Sequence, residues 1–540
     1  MIGWIARRLG YVRAGGDRSR LRARFDAASN APETREHWRN ADALSANAAA
    51  DSVTRTILRN RSRYERFNNP FMCGQLRTLA NDTVSIGPVL QLLTPNEGVN
   101  SKTERRWHEW ASAVRLGAKL RLARICRACD GEVFIRLRTN PRLPCAVKLD
   151  LQLIEADQVA TPTLLPQSQA QNLVEGIEFD AYDNPIWYYV LRSHPGDTGV
   201  WSATPRDYVR IPAEDIIHYF LVERPGQRRG IPEIVSSLNI HAERRNFRQS
   251  VLTAARAAAS LGAALLETDA DPDEQDLAAV PFSSLPLEQG MMTQLPSGSV
   301  AKQMKPEQPT TAYGDLHDRL ITEQARPLNM PRNIASGDSS SYNFASGRLD
   351  HQTYDRSISV EQEDDLVNVV LTRIISAWCV EATSIPGYLP ARAGQVYLPT
   401  ARDPLWPVPC VWIWGERDHI DPGKEASAQE TRLRSRVTTF AREFARVRRD
   451  WRNEIAQAAR EYESLDEAGL IAVNPQLAPR IIEAMRNVNV VGEEATIEIL
   501  TLLGVSRPKA TRMVSAVKPD IPPRVRERMV PAGSNGNGQE

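Results

Sequence analysis

Asn333-Ile-Ala-Ser-Gly-Asp-Ser-Ser-Ser-Tyr-Asn-Phe-Ala-Ser-Gly-Arg348 stands between two strongly helical patterns. Pro327-Leu-Asn-Met-Pro331 leads into it, and Leu349-Asp-His-Gln-Thr-Tyr-Asp-Arg356 leads out into an apolar helix. Small residues carrying one Tyr, one Phe and one Arg predict a mobile Gly/Ser loop over the whole stretch. Long connections without structure are uncommon in compact domains unless they have a role.

Outward from this loop the chain reads as α+β and mainly helical. Upstream, residues 311–327 are helical. Before them, residues 262–310 form a module interrupted by Pro281, Pro286, Pro296, Pro306 and Pro309, in which Met291-Met-Thr-Gln-Leu295 fits a short strand. Gly230-Ile-Pro-Glu233 predicts the start of a long helix running to Gly262, with proline near its first turn. Two helices thus enclose a small peripheral module. Further upstream, helices are expected over 32–60, 71–84 and 104–129, Asp130-Gly131 as a turn, and Glu132 to Arg138 as a strand. Residues 145–221 are β-rich, with half a hairpin over 180–191. Downstream, the apolar helix runs to about Val380. A Pro-rich segment carries Trp406, Trp412 and Trp414, and one long charged helix is expected from Lys424 to about Leu465, with nine arginines in residues 431–460. A small helical bundle is expected over 475–515 and a disordered tail over 531–540.

At 540 residues the chain exceeds a single core. With 67 basic and 66 acidic residues, its formal net charge of +1 disfavours tight wrapping of nucleic acid. The first 24 residues are the exception: Arg7, Arg8, Arg13, Arg18, Arg20, Arg22 and Arg24 face a single acid, Asp17. They predict a basic arm rather than a signal peptide, whose charges would precede the apolar run. No stretch reaches the roughly 18 uninterrupted apolar residues of a membrane span; Arg373 interrupts the best candidate, Val367 to Val380. Six cysteines do not make a disulfide framework, and the Cys126/Cys129 pair lacks the second pair a zinc site needs. No metal or cofactor is expected.

Catalytic chemistry has two weak footholds. Gly337-Asp-Ser339 offers a serine, with His351 or His419 as base, but no G-x-S-x-G elbow surrounds it. Asp130 and Glu132 offer paired carboxylates, which phosphoryl chemistry would need other acids to join. Walker and dinucleotide-binding glycine motifs are absent. Arg224-Pro-Gly-Gln-Arg-Arg-Gly-Ile-Pro232 is a basic loop before a helix, where Arg224, Arg228 and Arg229 are candidates for phosphate or subunit contacts. A hydrolase or a DNA-binding scaffold are the alternatives to an assembly part.

The order of short blocks decides among these. His37-Trp-Arg-Asn-Ala-Asp42, Arg61-Ser-Arg-Tyr-Glu65 with Asn68-Asn69, Leu79-Ala-Asn-Asp82, Asp130-Gly-Glu-Val-Phe134, Ile154-Glu-Ala-Asp157 and Gly176-Ile-Glu-Phe-Asp180 follow one another in the first half. Arg229-Gly-Ile-Pro232, Leu328-Asn-Met-Pro331, Gly337-Asp-Ser-Ser340, Tyr342-Asn-Phe-Ala-Ser346 with Arg348, and Asp421-Pro with Lys424-Glu-Ala426 complete the series. Over roughly residues 30–470 the chain resembles the lambda-type portal proteins of tailed phages and prophages.

That resemblance implies a portal-type fold and a non-enzymatic ring of about twelve subunits at one capsid vertex. Double-stranded DNA would enter through its channel, driven by terminase, and leave the same way. The implied parts are a basic N-terminal arm (1–30), a wing (31–231), stem helices (232–261 and 311–328), and a small β/loop clip (262–310). There follow a tunnel loop (329–348), a wing return helix with the Pro/Trp-rich segment (349–422), a helical crown (423–530) and the tail (531–540). The loop would present Ser339, Ser340, Ser341, Tyr342, Asn343, Phe344 and Arg348 to DNA. Implied partners are further copies of the chain, the terminase large subunit at the clip, head-completion adaptors, and major capsid and scaffold proteins. The implied location is the virion, with assembly in the host cytoplasm. Near-neutral charge suits a channel through which a duplex must slide, because a strongly basic bore would hold phosphates.

Overall fold

The computed structural model describes residues 36, 38–162, 172–197, 207–260, 264–268, 299–303, 312–340, 344–390, 408–415, 422–446, 449, 451–467, 492–502, 505 and 507–515. The arm, Met291–Leu295, Trp406, His419 and the tail lie outside the described residues. The chain divides into two compact units, Met1–Gly415 and Glu416–Glu540.

The first unit opens with helices α1 (Ala46–Ala49), α2 (Ser52–Asn68) and α3 (Pro70–Val84). Asp51 caps α2 through its carboxylate, which accepts from the Thr54 N–H at 2.8 Å. Asn69 ends α2 and caps α3, where Pro70 occupies the first turn and needs no N–H. Strand β1 (Val89–Leu92) leads to α4 (Glu97–Ala113) and α5 (Leu116–Asp130). The single helix expected over 104–129 is therefore two. Arg115 takes a left-handed conformation between them (φ 55°), and Gly117 packs its Cα against the Ile86–Gly87 backbone where a Cβ would collide.

Strands β2 (Glu132–Thr139) and β3 (Leu149–Ile154) follow, then β4 (Leu173–Val174), β5 (Ile177–Phe179), β6 (Pro185–Leu191), β7 (Tyr208–Pro212) and β8 (Ile216–Phe220). β2 is the centre of a three-stranded antiparallel sheet of order β3-β2-β8, with Phe134 opposite both Ile154 and His218. The expected hairpin over 180–191 forms as β5–β6 within a four-stranded sheet, β4-β5-β6-β7.

Helix α6 spans Leu238–Ser260 and α7 spans Ala312–Ala325. α6 starts later than the Gly230–Pro232 signal suggested, because residues before it are held against another backbone and only Val235–Ser237 turn as a 3₁₀ helix. The two helices pack side by side. Gln324 donates to the Ile240 carbonyl at 3.3 Å, and Phe247 stacks on Tyr313 with ring centroids 5.7 Å apart. Between them the chain makes an antiparallel pair, β9 (Ala264–Thr268) and β10 (Ser299–Gln303).

A short α8 (Arg332–Ser336) precedes α9 (Phe344–Val360), which continues through a π-helical stretch, Glu361–Leu371, into α10 (Thr372–Ser384). Gly347–Ser384 is long and apolar enough, by composition alone, to cross a membrane. Its apolar side is built into the core instead: Leu366, Val370, Ile374 and Trp378 join Trp107, Trp110 and Trp412. Strand β11 (Cys410–Ile413) pairs with β1 and closes this cluster. A second cluster gathers Met72, Leu76 and Leu79 of α3 with Ile234, Leu238, Ile321, Leu328, Tyr354 and Ile358. A third lies between the two larger sheets around Phe134, Ile177, Tyr188 and Ile216.

The second unit contains α11 (Pro422–Arg434), α12 (Phe440–Arg446), α13 (Trp451–Glu467), α14 (Glu493–Leu502) and α15 (Arg507–Ser515). The single charged helix expected here is three. A break after Arg434 includes Arg436 at φ 57°, a left-handed turn that no helix continues through.

Candidate functional site

The stretch Asn333–Arg348 is less of a loop than its composition suggests. Pro331 sits extended before α8, and Gly337 ends that helix in the left-handed region (φ 71°), where lack of a Cβ removes the steric penalty. Helix α9 has already begun at Phe344. Ser339 and Ser340 are exposed in the short path between; Arg348 is exposed on α9; Ser341, Tyr342 and Asn343 lie outside the described residues.

The base of this path is fixed on three sides. Arg332 pairs with Asp318 of α7 at 2.7 Å. Asn333 and His351 of α9 share a 2.9 Å hydrogen bond, and Gln75 of α3 donates to the Ala335 carbonyl at 3.4 Å. Ala335 is buried in the α3 cluster. Asp338 accepts from the Ser340 N–H at 2.9 Å, which lowers its carboxyl pKa. His351, one proposed base for Ser339, already has a partner in Asn333.

A second feature was not read from the sequence. Helix α5 ends at Gly131 (φ 91°), and the backbone of Gly131 crosses that of Gly230–Ile231 at touching distance. A Cβ on Gly131 would sit 2.5 Å from the Ile231 carbonyl carbon, and one on Gly230 would strike the Gly131 carbonyl. Buried ionic networks flank this crossing.

On one side Glu132, wholly buried, receives both oxygens' worth of donors. Arg229 Nε and Nη2 reach it at 2.9 and 2.6 Å, the Gly230 N–H at 2.9 Å and His218 Nε2 at 2.9 Å. Burial by itself would raise the Glu132 carboxyl pKa; Arg229 and His218 outweigh it and hold it well below the ordinary range. The remaining Arg229 donors go to the carbonyls of Ala156, Val159 and Glu175. Arg229 is thus no candidate for a phosphate or subunit contact: it is 3% exposed and fully engaged. Arg228 bonds Asp183, and Arg224 donates to the Leu44 carbonyl at 3.1 Å. Asp130 turns away from Glu132 to meet Arg63 at 2.9 Å. Each carboxylate has its own cationic partner, Arg63 for Asp130 and Arg229 for Glu132. Glu155, Asp157 and His194 bring possible ligand atoms within 4.8 Å of one another, but Arg63 lies on both carboxylates at 3.1 and 2.8 Å and supplies their counter-charge.

On the other side Glu233 receives Arg124 at 3.0 and 2.9 Å and Arg127 at 2.9 Å. Arg127 also meets Asp365 at 2.7 Å and the Tyr219 hydroxyl at 3.0 Å, and Arg124 pairs with Glu361. Burial raises Glu233, but the two arginines prevail and its pKa falls; Glu361, beside Glu233 and Asp365 as well, is raised by its burial and those acids. Both Glu361 and Asp365 lie on the π-helical stretch, a rare geometry that frequently marks functional sites. A cavity of about 430 Å³ opens beside them.

Cys126 and Cys129 are free thiols, pushed up to about 12 by burial, with Cys129 receiving the Ser62 hydroxyl at 3.3 Å. These interactions join segments far apart in sequence, so no local motif announces them. The one legible hint was the Gly131 and Gly230 pair beside acids and arginines.

The fold is α+β, and at its centre Glu132, Glu233 and Glu361 are held by the buried arginines Arg229, Arg124 and Arg127. The chain matches the family model for phage portal protein, lambda family, over residues 32–362, and it belongs to that family. It is 27% identical over 353 residues to the "Probable portal protein" of Halomonas phage phiHAP-1, covering 63% of this chain and 64% of that relative. The chain therefore spans less than two thirds of that relative's length. Similar solved structures include "Virion of native gene transfer agent (GTA) particle" (13% identity, TM-score 0.38, 72% of this chain and 92% of the other). "Neck of native GTA particle computed with C12 symmetry" is also similar, at 13% identity and TM-score 0.38 over 71% and 89% of the two chains.

Proposed function

We propose that this chain is a portal subunit: it forms a closed ring at one vertex of a capsid, through which double-stranded DNA is packaged and later released. The observation that carries this reading is the family match over 32–362, which runs from before α2 into the π-helical stretch. On this reading α6 and α7 are the stem, and the segment holding β9 and β10 is the clip that docks terminase. The first unit supplies the wing, and the second unit the crown. Head-completion adaptors and capsid and scaffold proteins are its other partners, and the subunit performs no catalysis of its own. Electron microscopy of the purified full-length chain is the test. Rings with a central hole wide enough for a duplex are expected; a monomer under every condition overturns the reading.

Ser339 to Phe344, with Arg348 behind them, are the residues we place towards the channel. The anchors at Arg332, Asn333 and Ala335 support this, because they fix the base and leave Ser339 and Ser340 exposed. Deleting Ser339–Phe344 is expected to spare ring assembly and shorten or abolish retained DNA; unchanged packaged length counts against it.

A further inference from the structure

One arginine fixes the protonation state of two histidines where α3 meets α6 and α7. Arg244 of α6 is 4% exposed, and among the described residues no carboxylate bonds it. Its guanidinium lies 4.2 Å from the Phe71 ring centroid, Nη1 is 3.0 Å from Nε2 of His317 on α7, and Nη2 donates to Asn69 Oδ1 at 2.8 Å. A guanidinium only donates, so His317 Nε2 is the acceptor and that ring is neutral. Asn69 passes the same polarity on. Its Oδ1 also accepts from the Phe71 N–H at 3.2 Å, so the amide cannot turn over without losing both donors. Its Nδ2 therefore faces Glu65 at 3.3 Å and Nδ1 of the wholly buried His241 at 3.4 Å, which makes that Nδ1 an acceptor too.

We propose that His241, Arg244 and His317 form an acid-opened latch between α3 and the α6–α7 pair, closed only while both rings are neutral. A proton on His317 Nε2 or His241 Nδ1 turns an acceptor into a donor aimed at another donor, and adds a positive charge beside Arg244. The acids nearby are already engaged. Facing His317 are Arg244 and Arg248 of α6, the Phe71 ring, and Tyr313 and Asp318 of its own helix; Asp318 pairs with Arg332 at 2.7 Å. Facing His241 are Arg244 and Asn69, and Glu65, the acid that Asn69 links to this corner, pairs with Arg245 at 2.9 Å. Burial and the arginine charge lower both histidines from their ordinary 6.5, His241 to about 4. The stabilisation such a histidine gives is fully present above pH 6.5 and is lost as pH falls from there towards the folded value. That loss begins well above the range in which Glu132 takes up its proton. α6 and α7 carry β9 and β10 between them, so the latch governs how firmly that pair is held, whether or not the chain forms a ring.

Hydrogen exchange of the full-length chain at about pH 7.5 and about pH 5, corrected for intrinsic exchange rates, is the test. Protection of residues 238–248 and 312–325 is expected to fall by at least about tenfold between the two, while circular dichroism stays helical. His317→Gln keeps an acceptor at the place of Nε2 but does not titrate, and is expected to make the fall shallower. His317→Gln combined with His241→Asn is expected to abolish it. Equal protection of the parent chain at the two pH values overturns the proposal. A fall as steep in His317→Gln as in the parent removes His317 from the latch, and one as steep in the double variant overturns the latch itself. Should the double variant not fold, Arg244→Met decides. It takes the donor from both histidines, and should lower protection already at the higher pH and flatten the pH response; parent-like protection at both pH values overturns the proposal.

Discussion

Arginine–carboxylate pairs occur in both units, in very different settings. At the Gly131–Gly230 crossing, Arg229 and Glu132 are 3% and 0% exposed as side chains. In the second unit, Arg434 and Glu430 pair at 3.0 Å across one helical turn with side chains 81% and 62% exposed. Chemistry and distance are nearly the same, but the surroundings change what each pair does. A surface pair trades water for a partner at little net gain. A buried pair has lost its water already, so removing one partner strands a charge in the interior. The buried networks therefore specify how α5, β2 and the chain entering α6 are joined.

Breaking the comparison at its strongest point means Arg229→Ala. It strands Glu132 and takes a donor from each of three carbonyls, and should cost about 3–5 kcal/mol in denaturant unfolding. A cost near zero would mean that the junction opens to water. Gly131→Ala comes next, with a loss of more than about 1 kcal/mol, because alanine meets both a left-handed φ and the Ile231 backbone. A wild-type melting temperature would show that the crossing can spread.

Acidity sharpens the same contrast. The folded pKa of Glu132 is depressed, so its stabilisation is fully present above its ordinary value of 4.5 and is lost as pH falls towards the folded value. Stability should therefore fall on acidification below about pH 4.5, and Glu132→Gln, though less stable at neutrality, should lose less over that range. Parallel curves for the two proteins would contradict the assignment. The smallest effect is expected from Arg434→Ala, which should leave unfolding within the scatter of ordinary surface substitutions.

Much local structure was legible. Asn69-Pro70 marks the junction of α2 and α3, β2 forms where expected, and the turn near Asn184 connects β5 and β6. The alternation expected of β2 fails, because Glu132 to Ile135 are buried on both faces. Glycine and serine content overstated the loop, because Asn333–Ser336 gains neighbours in α3, α7 and α9 that pay for its helix. Spacing placed Val53 and Ile57 on a helix but could not say which face is buried; Arg55 and Arg59 turn inwards only because Glu175 and Asp157 wait there.

By itself the sequence determined the family, through short blocks in a fixed order, and most helices and strands, through caps, turns and periodicity that act over a few residues. Tertiary structure alone decided where α6 starts, which charges are buried, and where the π-helical stretch lies. Glu132 and Arg229 are 97 residues apart, and Arg127 and Asp365 are 238 apart. Pairing at such separations depends on loop closure and burial, which no local pattern encodes.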